Sequence, residues 1–290
     1  MTLEQLRIFL CVAEELNMTR AAEKLHFTQP AISAAIAALE ERYATRLFDR
    51  VGRRIELTEA GRLFQPEARA VMAQVSAARH VLDDLAGLER GEIRIAASQT
   101  VATYWLPSRM ARFAAAQPRI QLRLEVGNTT QTAARLLQGD ADIAFVEGEI
   151  SDPLLSNSVI GGDRIALYCG PGHPLAGRTS ITAAELAAVT WVMREPGSGT
   201  RDHAAAGLLG SGIDVATLRI ALELPSNGAV LEATEGGTLV AAVSELAATS
   251  RLQAGMIRPL PWPLPDRHFT MLRHRSRRLS RAVEAFVSAL

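Results

Sequence analysis

The sequence predicts a mixed chain of three parts: a small, mainly helical head with a helix-turn-helix and a β-wing, one long helix, and a larger α/β region. Three observations carry this. Residues 1 to about 57 hold short amphipathic patterns and a hairpin, 58 to about 89 one long helical pattern, and from 91 onward strand and helix signals alternate. The 290 residues suit about two domains, each with its own core. Hydrophobic residues at 48% and charged residues at 21% exclude a disordered or collagen-like chain.

In the head, Leu3, Leu6, Ile8, Phe9, Val12 and Leu16 form a helical stripe that breaks at Asn17. Thr19 is placed to cap a short second helix through Ala21, Ala22 and Leu25, and His26-Phe27 makes the turn. Thr28 then caps a third helix through Ile32, Ile36, Leu39 and Tyr43, with Pro30 in the first turn where its missing N–H does no harm. Gly52 and the alternation of Ile55 and Leu57 predict a small β-wing with arginines at its tip. Thr58 opens a helix of roughly thirty residues, about 45 Å long. Its Phe64, Ala68, Val71, Val75, Ala78, Leu82 and Leu85 repeat at alternating steps of four and three, the seam of a coiled coil, and Pro66 bends its beginning.

Beyond Gly91, strands are expected at Ile93–Ala97, Ile120–Val126, Asp142–Val146, Ile165–Cys169, Trp191–Met193, Ile220–Leu224, Leu239–Val243 and His268–Leu272. Helical stretches lie between most of them, which predicts a mainly parallel sheet system, either one sheet or two. Ile160-Gly-Gly-Asp163 and Pro259-Leu-Pro-Trp-Pro-Leu-Pro265 stand where the chain would cross to a second lobe and return.

The third helix offers Gln29, Ser33, Ala34, Ala35 and Ala37 on its early turns, side chains that can pair with an adenine edge, a phosphate or a thymine methyl. Arg46, Arg50, Arg53 and Arg54 form a local basic cluster suited to phosphates. The whole chain balances 31 basic against 31 acidic side chains, so any positive face is local. In the α/β region Ser98-Gln99-Thr100, Asn128-Thr129-Thr130 and Glu195-Pro-Gly-Ser-Gly-Thr-Arg201 each follow a strand and open a helix. Ligands of open α/β sheets bind at such strand ends, and helix N-termini with hydroxyls favour anions. The competing reading of each is a plain helix cap.

Enzyme motifs are missing. Gly197-Ser-Gly-Thr-Arg lacks the lysine of a P-loop, and neither a His-Glu-x-x-His nor a Gly-x-Ser-x-Gly occurs. The six histidines lack metal spacing, and Cys11 and Cys169 lie far apart, giving neither a zinc nor a disulfide pattern. The opening residues do not read as a signal peptide, and no apolar run is long enough to cross a bilayer. Arg273-His-Arg-Ser-Arg-Arg278 and Arg281 read as a solvated basic face. Three other classes compete: a solute-binding protein, a thiol redox sensor and an enzyme.

Leu6-Arg-Ile-Phe, Thr19-Arg-Ala-Ala-Glu-Lys-Leu, Thr28-Gln-Pro-Ala-Ile-Ser, Leu39-Glu-Glu, Leu47-Phe-Asp-Arg and Leu57-Thr-Glu-Ala-Gly, in this order and spacing, resemble the winged helix-turn-helix of LysR-type transcriptional regulators. Ala97-Ser-Gln-Thr, Tyr104-Trp-Leu-Pro and Arg194-Glu-Pro-Gly-Ser-Gly-Thr-Arg201 resemble that family's effector domain, so the likeness covers essentially the whole chain. It implies a DNA-binding domain over 1–58, a dimerising linker helix over 59–89, and an effector domain over 90–290. The last would be two-lobed and like type 2 periplasmic binding proteins, with lobe I at about 90–162 and 266–290 and lobe II at about 163–265. By the same resemblance Thr28, Gln29, Pro30, Ser33 and Ala34 face the DNA groove, and Arg50, Arg53 and Arg54 meet the backbone. The alanines leave base readout thin, so DNA shape carries weight.

Ser98, Gln99, Thr100, Thr129, Glu147, Ser198, Gly199 and Thr200 fall on the family's effector cleft, where Glu147 needs a cation or hydroxyl beside it. The implied protein is a cytoplasmic, sequence-specific regulator, not an enzyme. It needs no metal and no cofactor beyond a small, anionic effector. Its partners are double-stranded promoter DNA, further copies of itself as a homodimer or homotetramer, and RNA polymerase where it activates, with no membrane.

Overall fold

The computed structural model describes residues 1–51, 54–85 and 91–290, and the chain forms two compact units, one holding Met1–Leu85 and the other residues 91–137 and Ala141–Leu290. The first unit runs α1 (Leu3–Glu15), α2 (Met18–Leu25), α3 (Gln29–Tyr43), β1 (Phe48–Val51), β2 (Arg54–Leu57) and α4 (Glu59–Leu85). Thr2 and Gln5 open α1 with reciprocal side-chain bonds to each other's backbone N–H, at 3.1 and 3.0 Å. Asn17, not Thr19, caps α2: its Oδ1 accepts from the N–H groups of Thr19 and Arg20 at 2.9 and 3.0 Å. Thr28 stands at the cap position of α3, but its hydroxyl makes no capping bond. Leu16, His26 and Ala44 end the three helices in the left-handed region, at φ 45°, 59° and 48°.

The predicted stripes bury their centres and leave their ends in water. Leu6, Phe9, Val12, Ile32, Ile36 and Leu39 form the core, while Leu3, Leu16 and Tyr43 are exposed. Phe9 holds that core to the wing and to α4, its ring 5.4 Å from Phe48 and 4.9 Å from Phe64. Glu40 Oε1 accepts from the N–H groups of Leu47 and Phe48 at 2.7 and 3.1 Å, fixing the entry to β1 from the last turns of α3. Thr58 Oγ1 accepts from Gly61 N–H at 2.9 Å and donates to the Arg46 carbonyl at 2.8 Å, fixing the start of α4. The 27 residues of α4 run unbroken through Pro66, about 40 Å in all. Its seam divides: Phe64 and Ala68 pack into the head, whereas Val71, Val75 and Leu82 stay exposed at 40%, 37% and 67%. The Leu85 side chain lies outside the described residues.

The second unit runs β3 (Gly91–Ser98), a turn of π-helix (Val101–Trp105), α5 (Leu106–Ala116), β4 (Ile120–Gly127), α6 (Thr129–Gln138), β5 (Ile143–Glu147) and β6 (Leu155–Cys169). It continues with α7 (Ala183–Ala188), β7 (Thr190–Arg194), α8 (Gly199–Gly210), β8 (Arg219–Leu224), α9 (Asn227–Glu235), β9 (Val240–Ser244), α10 (Glu245–Gln253), β10 (Arg258–Pro259), β11 (Asp266–His274) and α11 (Arg281–Ser288). The strand order is β4-β3-β5-β11-β6-β9-β7-β8, with β10 also on β6.

One strand serves both lobes. β6 pairs with β11 as far as Arg164↔Asp266 and with β9 from Ile165↔Ser244, so it begins in one half-sheet and ends in the other. The sheet is therefore mixed, not mainly parallel. β3 with β4 and β5, and β7 with β8 and β9, are parallel, but the outgoing β6 and returning β11 run antiparallel to each other and to their neighbours. Polar residues and glycines in its first half hide β6 from a pattern search before Ile165. Gly162 is required there, because a Cβ would stand 2.5 Å from the Arg267 carbonyl.

Each lobe has its own core. Ile93, Ile95, Trp105, Phe113, Phe145, Phe269 and Phe286 fill the first, and Ile165, Leu167, Trp191, Met193 and Leu208 the second. Arg277 does not belong to a solvated face: its guanidinium donates to the Leu136 and Leu137 carbonyls at 2.5 and 2.6 Å, satisfying the end of α6. Among the described residues no helix is long and apolar enough to cross a membrane.

Candidate functional site

Two surfaces gather the residues singled out by sequence. On the head, the start of α3 presents Thr28, Gln29, Pro30 and Ala34 to solvent, with Ser33 half-buried among them. Gln29 and Ser33 lie one turn apart, and Gln29 Nε2 donates to Ser33 Oγ at 2.8 Å. That bond ties up the Gln29 amide N–H and leaves the Gln29 carbonyl as an acceptor and the Ser33 hydroxyl as a donor side by side. Arg50 and Arg54 are exposed near the end of the two-stranded wing, where Val51 pairs with Arg54. Arg53 lies outside the described residues.

The second surface is internal, between the lobes. Most of the buried polar side chains of this unit converge there: Ser98, Thr100, Thr129, Glu147, Arg194, Ser198, Thr200, Asn227, Ser244 and Arg267. Such groups are rarely buried unless hydrogen-bonded, and most of these bond to one another, whereas the Ser98 hydroxyl has no partner among the described residues. The plain-cap reading fails at three of the hydroxyls. Thr100 and Ser198 make no side-chain cap bond, and α6 is capped by Asn128, whose Oδ1 accepts from Gln131 N–H at 2.9 Å. Thr129 is thereby free to donate its hydroxyl to Glu147 Oε2 at 3.0 Å while accepting from Gly199 N–H at 3.1 Å, which joins the start of α8 to lobe I. A Cβ at Gly199 would stand 2.9 Å from the Glu147 carbonyl, so only glycine permits this approach.

Thr100 and Thr200 face each other with hydroxyl oxygens 3.5 Å apart. Asn227 Nδ2 donates to Thr100 Oγ1 at 3.0 Å, and Arg267 Nη1 donates to Thr200 Oγ1 at 2.9 Å. The other guanidinium nitrogens of Arg267 grip Asp163 at 2.7 and 2.5 Å, and the Ser244 hydroxyl reaches the same carboxylate at 2.5 Å. Glu147 finds both the cation and the hydroxyl that it needs. Burial alone would raise its pKa, but the Arg267 charge and the hydrogen bond from the Thr100 N–H, 3.2 Å away, hold it below the usual carboxylate range.

Gln99 is half-buried and crosses the lobes. Its Oε1 accepts from Asn227 N–H at 3.2 Å and Arg194 Nη1 at 3.3 Å. Arg194 is held in turn by Glu195 at 2.7 and 2.9 Å. Sequence reasoning placed Gln99 but passed over Asn227, Arg194, Arg267 and Asp163. A signal existed for two of them: Asp163 and Arg267, of opposite charge, flank the two places where the chain crosses between lobes.

The cysteines offer no redox centre. Cys169 is fully buried, and burial pushes its thiol up to about 11; burial raises that of Cys11 as well. Thiolates, not thiols, react. The native chain is expected to leave both cysteines unmodified by an aromatic disulfide reagent over minutes and to release both on denaturation. One fast thiol in the native state would restore the redox reading.

Comparison with known proteins identifies both parts of the chain. A family model described as "Bacterial regulatory helix-turn-helix protein, lysR family" matches residues 3–62, and one described as "LysR substrate binding domain" matches residues 86–290. The HTH-type transcriptional regulator YeiE of Escherichia coli strain K12 is 34% identical over 294 residues, covering 99% of this chain and 96% of that protein. Full-length CbnR, solved with its target DNA, superposes with a TM-score of 0.68 at 24% identity over 100% of this chain and 98% of its own. The regulatory domain of CcmR from Synechocystis PCC6803, solved with 2-PG, gives a TM-score of 0.63 at 25% identity over 69% of this chain and 95% of its own.

Proposed function

The chain belongs to the LysR family of DNA-binding transcriptional regulators, and we propose that it is a cytoplasmic, effector-gated member whose ligand is a small oxyanion held between the two lobes. The observation that carries this reading is the buried ring of hydroxyls, amide N–H groups and guanidinium at Thr100, Thr129, Gly199, Thr200 and Arg267. It brings hydroxyls and N–H groups of both lobes together in one buried place, where they bond to one another and to Glu147. The relative solved with 2-PG supports a small ligand in such a domain. No metal or further cofactor is needed.

The exposed Val71, Val75 and Leu82 give α4 an apolar stripe for a second copy of the chain, and the assembly is a homodimer or a tetramer built from dimers. Two heads on one assembly read two half-sites of promoter DNA. The effector acts by preferring one arrangement of the lobes, which resets the heads and, where the regulator activates, its meeting with RNA polymerase.

The test is a thermal-shift screen of small carboxylates, phosphates and sulfates on the intact protein, followed by footprinting on its own upstream DNA with and without each hit. The expected result is a compound that raises the melting temperature and changes the footprint. A footprint that no stabilising compound alters would overturn the effector reading, and absence of any footprint at low salt would overturn promoter binding.

A further inference from the structure

Gln99 occupies the position of a ligand. Its Oε1 sits at the start of α9, on Asn227 N–H at 3.2 Å, and against Arg194 Nη1 at 3.3 Å. Arg194 is 2% exposed, and Glu195 fixes it from the other side with two bonds, so the guanidinium cannot turn away. Its Nη1 also meets Asn227 Oδ1 at 3.2 Å. The Gln99 amide nitrogen points to Thr103 Oγ1 at 3.4 Å, leaving the carbonyl as the end that faces lobe II. Thus a buried cation and a backbone N–H, both on lobe II, converge on one oxygen that arrives from lobe I on a movable, half-buried side chain.

A neutral carbonyl is a modest acceptor for a guanidinium; an ionised oxygen is roughly twice as strong a one. We infer that Arg194 and the Asn227 N–H form an oxyanion subsite and that Gln99 is its tethered stand-in, displaced when a carboxylate or phosphate oxygen of the effector enters. The inference rests on the proposed effector cleft and deepens it. In the free protein the Gln99 bridge joins the lobes. In the bound protein the effector makes that bridge, and Gln99 swings toward solvent. Glu195 already pairs with Arg194, so the subsite takes one terminal oxygen of the effector in place of the Gln99 carbonyl. The hydroxyls of Thr100 and Thr200 lie beside it through Asn227 Nδ2, which places the rest of a small ligand against them.

Three full-length variants test this: Gln99→Ala and Gln99→Met, which lack the carbonyl, and Gln99→Glu, which brings a tethered carboxylate to the same place. Gln99 packs in no core, so all three should fold, as their melting curves would verify. Without any ligand, amide exchange over residues 225–232 is expected to quicken by about tenfold in the alanine and methionine variants and to slow in the glutamate variant. Titrated with glycolate, inorganic phosphate and 2-PG, the alanine variant should bind at least one probe about tenfold tighter than the parent chain. The glutamate variant should bind that probe about tenfold more weakly, and binding should restore slow exchange at α9.

Tightening by glycolate alone marks a carboxylate subsite, and by phosphate and 2-PG a phosphate one; either supports the inference. Unchanged exchange at α9 in the ligand-free alanine variant overturns it, as does a probe bound equally by all four proteins. In that last case the effector cleft itself stands, because the probe still binds and only the stand-in role of Gln99 fails. Should the alanine variant bind none of the three probes, the oxyanion subsite is refuted whatever the footprinting yields.

Discussion

Replacing Asp163 with asparagine is expected to cost the effector unit about 3–5 kcal/mol, because it strips the partner from a guanidinium with no water to turn to. Arg267 has 0% of its side chain exposed and Asp163 2%. Arg267→Met should cost still more, since that guanidinium also compensates the buried Glu147, and its loss leaves two carboxylates unmatched. The double variant Asp163→Asn with Arg267→Met should recover part of the loss relative to Arg267→Met alone, as the pair is removed together. The measurement is urea unfolding followed by tryptophan fluorescence. The chain's three tryptophans, Trp105, Trp191 and Trp262, all lie in the α/β region, so the signal ignores the head. A loss below about 1 kcal/mol for Arg267→Met would mean that water reaches the pair, and the enclosed cleft would have to be abandoned.

The second large effect is on DNA. Arg54→Ala is expected to weaken binding to all sequences alike and to lower the salt slope by about one. Gln29→Ala should instead cost about 1–3 kcal/mol at one base pair of the site and relax the preference there. Ser33→Ala should alter the same preference, because the Gln29–Ser33 bond of 2.8 Å presents the two as one unit. The check is a binding isotherm at several salt concentrations on the native site and on single-base variants of it. If Gln29→Ala lost affinity uniformly and kept every base preference, α3 would be gripping backbone and the groove assignment would fall.

The parts of the molecule legible in the sequence are those fixed by local rules. Helices with a regular apolar spacing, such as α1 and α3, declare themselves, and so do strands such as β5, whose five residues are all buried. Residues that depend on distant chain were less legible. Asn17 displaced Thr19 as a cap by a choice between two short polar side chains two residues apart, which pattern alone does not rank. In the first half of β6 polar residues and glycines break up the apolar Leu155, Val159 and Ile160, and only its pairing with β11, more than a hundred residues on, makes it a strand.

The cleft divides in the same way. Ser98, Gln99, Thr100, Thr129 and Ser198 to Thr200 were visible as helix openings after strands, a local signature. Arg267 and Asn227 were not, because each matters only through a partner in another segment: Asn227 with Thr100, and Arg267 with Asp163 and Thr200. A single arginine or asparagine in a strand or helix start carries no mark of that.

The exchange of β6 between two half-sheets also orders the assembly of the chain in time. β11 must pair with β5, and Phe286 of α11 must join Phe113 and Phe145, before lobe I is closed. The segments of lobe II, by contrast, follow one another in the chain from Ile165 to Leu260. During synthesis the head can form as soon as α4 has emerged, lobe II next, and lobe I only after the final helix leaves the ribosome. A chain that stopped before α11 would hold the segments of the head and of lobe II but leave the Phe113–Phe286 contact of lobe I unmade.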